Sequence, residues 1–233
     1  MISKRGSSHL EMIFSFVFFV GFVFFLLLTL KPYDTVTMPK SVNFAIANSL
    51  FEKTSTNLTT FFLKVNYPML WGYSCFEVPL TYDLGFKYDF TNSYVSDLTK
   101  PVISDINSAG KLSVSSDKQF FKVMLSSEFP ENSLSNCGSI NSFEIGSILN
   151  QQVLSYNTLK ELSDKYKSNY ESSKNELGVP EVYDYSITCD TLPEINMDKE
   201  VVGSVDVLAA DYIFEVLDNE GNITNSKFTV KIW

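Results

Sequence analysis

The chain has 233 residues with a formal net charge of −9, and 45% of its residues are hydrophobic. This length is enough for one large or two small domains with a real core. Residues 1–33 hold three basic residues and one acidic residue, so the remaining 200 carry a net charge of −11. So acidic a surface argues against a nucleic-acid partner.

An uncharged stretch of 19 residues runs from Met12 to Leu30, with the sequence MIFSFVFFVGFVFFLLLTL. At about 1.5 Å per residue, a helix of this length spans close to the ~30 Å of bilayer hydrocarbon. Lys4 and Arg5 precede it and only Lys31 follows, which favours a cytoplasmic N-terminus and an extracellular remainder. The residues after the stretch lack the small-residue cleavage site of a secretory signal. We therefore predict a transmembrane helix that is retained.

Glu11 lies directly against this apolar stretch, where an unpaired carboxylate costs about 2.5 kcal/mol or more. One interpretation places Glu11 in the headgroup region, where it is simply solvated. The other interpretation depends on spacing, because the basic pair Lys4-Arg5 is followed by Gly6, and Glu11 is the fifth residue after that glycine. These features occur together immediately before the apolar helix.

The pattern resembles the class III signal sequence of type IV pilin-like proteins, in particular the archaeal ones, and the resemblance covers about the first 30 residues. It implies that a prepilin-type peptidase cuts between Gly6 and Ser7, so that Glu11 becomes the fifth residue of the mature chain. It also implies that Glu11 pairs with the N-terminal amine of a neighbouring subunit, since each group then removes the other's unpaired-charge cost. The residues after Gly6 depart from the pattern, because archaeal leaders often have glutamine soon after the cut and this chain has Ser7, Ser8 and His9.

The chain after the apolar stretch begins with a short linker and an amphipathic helix, predicted from Pro39 to Lys53. From Thr56 onwards the apolar period changes to two, and Phe61, Leu63 and Val65 are predicted to share one face of a strand. Further strands are predicted at residues 73–80, 85–90, 111–116, 119–126, 143–153, 183–188, 205–217 and 228–233. Short, closely spaced strands of this kind are typical of one antiparallel sheet system.

One long amphipathic helix is predicted after residue 155. Ser155 can cap it, and Gly178 followed by Pro180 can end it. Its apolar stripe has members at three- and four-residue intervals: Leu159, Leu162, Tyr166, Tyr170 and Leu177. We interpret the two tyrosines as residues that pack on a sheet rather than as a binding stripe.

Three cysteines occur, Cys75, Cys137 and Cys189, and their spacing alone allows any of the three pairings. Outside the cell, one disulfide and one buried free thiol are expected. We predict the pair Cys75–Cys137, because the loop that holds Cys137 has a flexible composition and can reach a strand. Glycosylation is predicted at the sequons of Asn57 and Asn222, and Asn222 is the better acceptor because it lies in a hairpin turn.

Patterns of catalysis or cofactor binding do not occur in the sequence. There is no GxSxG elbow and no Gly-rich phosphate loop, and the only histidine, His9, is interpreted as an interfacial residue. A zinc site needs more closely spaced ligands. The acidic pairs Glu181/Asp184 and Asp190/Glu194 are interpreted as surface charge. We expect no catalytic residue, no cofactor, no metal and no enzymatic activity.

The whole sequence thus predicts an α+β fold: a leader (1–6), a transmembrane or assembly helix (7–31), a linker with a short helix (32–55) and an antiparallel β-rich extracellular head (56–233) with one long amphipathic helix. The expected function is a type IV pilin-like subunit at the cell membrane and surface, polymerised with itself or with other pilin-like subunits. One alternative is an unprocessed, single-pass membrane-anchored surface domain that binds a partner, and another is a membrane-tethered enzyme. Cleavage at Gly6 separates the first two, and a pocket with convergent polar groups would support the third.

Overall fold

A computed structural model describes residues 7–29, 37–66, 73–80, 92–107, 109–201, 203 and 205–233. The predicted leader and the predicted strand at residues 85–90 lie outside these ranges. The helices are α1 (Ser7–Thr29), α2 (Thr37–Thr54), α3 (Tyr156–Ser168) and α4 (Tyr170–Glu176). The strands are β1 (Ser55–Val65), β2 (Phe76–Pro79), β3 (Ser93–Ser96), β4 (Pro101–Val102), β5 (Ser104–Ile106), β6 (Lys111–Val114), β7 (Phe120–Leu125), β8 (Gly138–Ser139), β9 (Phe143–Ser155), β10 (Tyr185–Cys189), β11 (Leu208–Leu217) and β12 (Ile223–Ile232).

The prediction of a transmembrane helix is wrong. Among the described residues, no helix combines the length and the apolar character that crossing a bilayer requires. Most of the apolar stretch lies within α1. The predicted fold class is therefore corrected, because its membrane-spanning helix is not found in the described structure.

Eight strands form one large sheet in the order β10-β12-β11-β9-β1-β7-β3-β4. The large sheet also departs from the predicted antiparallel system, because β9 and β11 pair in parallel where Val216 lies opposite Leu154 and Leu217 opposite Ser155. The physical reason is the connection: α3, α4 and β10 lie between the two strands, and this crossover returns β11 in the direction of β9. β2 and β8 form a second parallel pair in a smaller sheet of order β5-β6-β2-β8.

The smaller sheet packs on one face of the large sheet. The buried side chains between them include the predicted inward residues of β1, and the cluster consists of Phe61, Leu63, Val65, Phe76, Val78, Leu80, Val95, Ile106, Leu112, Val114, Phe121, Val123, Leu125 and Ile140. A disulfide joins Cys75 and Cys137, which is the predicted pair, and Cys189 is a buried free thiol in β10. The bridge ties β2 to the strand that pairs with it in parallel, β8.

A second core forms where α2 and α3 pack against β10, β11 and β12. The predicted short helix of the linker region is therefore part of the head. Asn43 fixes its position, because its amide Nδ2 donates to the carbonyl of Val230 at 2.9 Å and its Oδ1 accepts from the hydroxyl of Tyr212 at 3.0 Å.

The long amphipathic helix is two helices rather than one. Asn169 ends α3 and begins α4 with φ −150° and ψ 80°, and its side-chain Oδ1 accepts from the Ser172 N–H at 3.1 Å. The interruption has a local cause, since an asparagine side chain competes with the helix for backbone hydrogen bonds. Tyr166 and Tyr170 still pack on the sheet as predicted, edge-on to each other and against the ring of Tyr185.

A buried carboxylate holds the start of α3. Glu128 accepts hydrogen bonds from the Ser155 hydroxyl and, at 2.9 Å, from the Asn157 N–H, so it shares the capping of this helix with Ser155. Burial is the largest influence on the Glu128 pKa and raises it, the two hydrogen bonds oppose that rise, and the charges of Asp218 and Glu161 add to it. The net result of these opposing influences is a pKa of Glu128 above its ordinary value.

Replacing Glu128 with glutamine is expected to change how stability depends on pH. A group with a raised pKa binds more protons in the folded state, so its contribution to stability is present below its unfolded pKa and is lost as pH rises through the folded value. The free energy of unfolding of Glu128→Gln relative to wild type should thus increase from about pH 4.5 towards neutral pH, as measured by denaturant unfolding. A constant difference between the two proteins across that range would contradict this.

Candidate functional site

The most unusual surface belongs to α1. From Met12 to Phe25, every large apolar side chain except the partly buried Val20 is exposed, with exposures from 37% to 76%. The exposed run includes four consecutive positions, Phe16–Phe19. Because an α-helix turns once every 3.6 residues, the side chains at four consecutive positions point to all sides of the helix. A helix that is apolar on all sides is normally buried, so α1 offers a surface that requires a partner.

The residues implied by the pilin resemblance are placed only in part. Glu11 is exposed in the first turns of α1, and Ser7 is the first residue of that helix. Gly6 lies outside the described residues. The geometry of a cut between Gly6 and Ser7 is thus not defined, whereas the carboxylate of Glu11 is accessible beside the apolar surface.

The two sequons lie in different environments. Asn57 is exposed in β1 opposite Gln152, but Thr59 of its sequon is buried and donates to Asn150 Oδ1 at 2.7 Å. Asn222 is exposed in the turn between β11 and β12, where its Nδ2 donates to Asp218 Oδ2 at 2.8 Å. A folded chain therefore presents the Asn222 sequon at a turn and holds the Asn57 sequon within a sheet.

Three of the four acidic residues considered for catalysis, Asp184, Asp190 and Glu194, form hydrogen bonds or ion pairs. Asp184 accepts from the Tyr170 hydroxyl at 2.7 Å and pairs with Lys199 at 3.0 Å. Burial raises the pKa of Asp184, but these hydrogen bonds and charges outweigh it and leave the pKa lowered. Asp190 pairs with Lys227 at 3.0 Å, and Glu194 accepts from a tyrosine hydroxyl. Within the described part of the chain, no cluster of three or more potential metal ligands occurs.

A second exposed surface, which sequence reasoning missed, is one face of the large sheet. On this open face, four large apolar side chains are more than half exposed: Phe120 of β7, Phe62 of β1, Leu149 of β9 and Ile213 of β11. The available signal was Phe62 itself, because it follows Phe61 and therefore points away from the core that Phe61 enters. From the sequence, only the alternate residues of β1 that point into the core were assigned.

A groove of 300 Å³ crosses one end of the open face. Phe62, Phe120 and Leu98 contribute its apolar walls, and Lys64 and Glu144 form an ion pair at its edge at 3.2 Å. Leu98 occupies the left-handed region with φ 70° while remaining mostly exposed. A bulky residue in that region costs on the order of 1 to 3 kcal/mol.

Comparison with known proteins finds no matching family model, no matching curated protein and no matching solved structure. The functional argument therefore depends on the residues of this chain and on their geometry.

Proposed function

We propose that the chain is a type IV pilin-like surface subunit that assembles through α1, with the acidic β-rich head displayed outside the cell. The observation that carries the proposal is the exposure of apolar side chains on all sides of α1. A bundle of α1 helices from several copies is the arrangement that covers such a helix in every direction.

The energetics favour this bundle. Each buried Phe, Val or Ile side chain contributes about 1.5 to 3 kcal/mol relative to exposure to water. Phe14, Phe18 and Phe22 recur at four-residue steps along α1, and all three are exposed. Neighbouring α1 helices can interdigitate such rows, as helices do when ridges of one fit grooves of another.

Glu11 supplies the specificity that apolar packing alone does not provide. If a prepilin-type peptidase cuts after Gly6, Ser7 carries a free ammonium group close to the apolar surface. Pairing this ammonium with Glu11 of a neighbouring copy neutralises both charges and sets the axial offset between the two helices. The remainder of the chain suits a surface location, since it contains a disulfide and an exposed sequon in a turn.

Two substitutions test the proposal by different outcomes. Gly6→Val should block processing, so that the intact mass of the native protein retains residues 1–6. Glu11→Ala should be processed normally but should not enter a filament, because the charge that sets the offset is missing. Glu11→Asp is the matched control, since it keeps the charge and should retain partial assembly.

The measurements are intact-mass spectrometry of protein from its native cells and electron microscopy of the cell surface. A native protein that retains residues 1–6, or normal assembly by Glu11→Ala, would overturn the proposal. The first result would favour the alternative of an unprocessed surface domain that binds a partner without forming filaments.

A further inference from the structure

We infer that the open face of the large sheet is a self-complementary interface, through which two copies of this chain pack face to face around a two-fold axis near Leu149. The inference goes beyond assembly through α1 and does not depend on it. Three features of the face carry it: its apolar centre, its two unpaired charges and its division into a raised half and an open half.

The apolar residues belong to a single face. Gln151 Nε2 of β9 donates to Glu215 Oε2 of β11 at 3.4 Å, so these two side chains lie on the same side of the sheet. Leu149 is two residues from Gln151, and Ile213 is two residues from Glu215, so both share that side. Leu149 lies opposite Thr60 of β1, which in turn is two residues from Phe62. The face is thus continuous across β7, β1, β9 and β11.

On the four strands β7, β1, β9 and β11, two charges of this face have no ionic partner among the residues that the structure describes. They are Lys122 of β7, opposite Phe62, and Glu215 of β11. The other charges near them are paired, Lys64 with Glu144 and Asp211 with Lys227. Lys122 and Glu215 are three strands apart, about 14 Å across the sheet at the usual spacing, and are also offset along the strands, so they cannot reach each other within one copy.

A two-fold axis between two copies pairs these two charges. Across the sheet, the midpoint between Lys122 and Glu215 falls between β1 and β9. Along the strands, Lys122 is level with Phe62 and Glu215 with Thr56, so the midpoint is at Thr59, next to the Leu149–Thr60 pair. Rotation by half a turn about an axis that lies in the plane between the two faces, passes beside Leu149 and bisects the separation of the two charges places Lys122 of one copy against Glu215 of the other. The reverse contact forms at the same time. An isologous interface then satisfies both charges and buries Leu149 against Leu149.

The shape of the face is compatible with the same rotation. One half is raised, because Phe129 and its loop cover Leu58 and Met124 there, and Tyr94 packs against Phe129 with ring centroids 5.5 Å apart. The other half is open and contains the groove beside Phe62. A two-fold axis between the halves lays the raised half of each copy over the open half of the other.

The available area suits a second copy. Four strands at roughly 4.8 Å spacing and about eight residues of roughly 3.3 Å each provide a face of about 500 Å². Two such faces bury about 1,000 Å² in total, which reaches the lower limit of a specific interface. For a chain with net charge −9, a second copy is repelled at most surfaces, whereas here each acidic group meets a lysine.

Cross-linking at the axis is the first test, carried out on the full chain. Leu149→Cys should be joined to a second copy by a short bismaleimide, because face-to-face sheets lie about 10 Å apart. Val182→Cys is the matched control, since Val182 is 83% exposed, lies away from the face and should not cross-link. The native disulfide and the buried Cys189 leave no competing accessible thiol in the described chain.

Charge exchange is the second test. In the Leu149→Cys background, Lys122→Glu and Glu215→Lys should each lower the cross-linked fraction about tenfold or more, since each places like charges together. The double variant should restore cross-linking, and equal thermal unfolding temperatures would show that the single variants still fold. Absence of cross-linking in Leu149→Cys, equal cross-linking in Val182→Cys or failure of the double variant to recover would overturn the inference.

The result is separable from assembly through α1. The same Leu149→Cys cross-link should form in the Gly6→Val chain, which the proposed function expects to be unprocessed. Cross-linking that is lost in Gly6→Val would show that the contact depends on α1 and would overturn the claim of an independent interface.

Discussion

A chain in which Cys75 and Cys137 are both replaced by alanine is expected to lose about 4 kcal/mol of unfolding free energy, given that 62 positions separate the two cysteines. In the chain-entropy account, the bridge restricts the unfolded chain, and this restriction grows with the length of the closed loop. The loop closed here contains β2 to β7, so most of the core between the two sheets lies within it. Guanidinium unfolding followed by circular dichroism measures the loss.

Reductant provides the control for this prediction. Wild type in reductant should approach the stability of the double variant, whereas the variant itself should not respond. Cys189→Ala should keep the response to reductant, because Cys189 is a free thiol. If Cys189→Ala abolished that response, the assignment of the bridge would be wrong.

Alanine at position 221 is expected to destabilise the head by about 3 kcal/mol. Gly221 has φ 77°, a conformation that a side chain disfavours by roughly 1 to 2 kcal/mol. In addition, a Cβ at this position would lie 2.7 Å from two ring carbons of Tyr94. Tyr94 cannot yield easily because its ring packs against the buried Phe129.

Gly178→Ala separates the two contributions. Gly178 has φ 68°, but no atom lies within 4 Å of a Cβ built on it. Its replacement should therefore cost only the backbone strain, roughly 1 to 2 kcal/mol. Equal losses for Gly178→Ala and Gly221→Ala in denaturant unfolding would mean that the contact with Tyr94 contributes nothing.

The features that the sequence predicted well are those encoded within a few residues. Alternation placed Phe61, Leu63 and Val65 in the core, and the N-cap at Ser155 began α3 as expected. The long strand β9 was predicted from alternation between Phe143 and Val153, although a bulge between Ile145 and Ile148 places Phe143 and Leu149 on opposite faces of the sheet. Local periodicity and capping decide these elements, so no knowledge of the remaining fold was needed.

The features that were missed depend on residues far apart in the sequence. β3, β4 and β5 were not among the predicted strands, because short polar strands such as Ser93–Ser96 gain their stability from pairing with β7. The open face was missed because Phe62 and Leu149 are apolar and therefore resemble core residues in the sequence, although both are exposed. The lack of a partner for Lys122 emerged only once pairing across 80 residues had joined Lys64 to Glu144.

The place of α2 in the second core has a consequence for the order of folding. Its Asn43 contacts the carbonyls of Leu208 and Val230, which lie 165 and 187 residues later in the chain. During synthesis, the apolar stripe of this helix stays uncovered until β11 and β12 have been synthesised. Contacts of such long sequence separation slow folding, so we expect the apolar stripe of α2 to stay open to aggregation in the nascent chain until β12 has been synthesised.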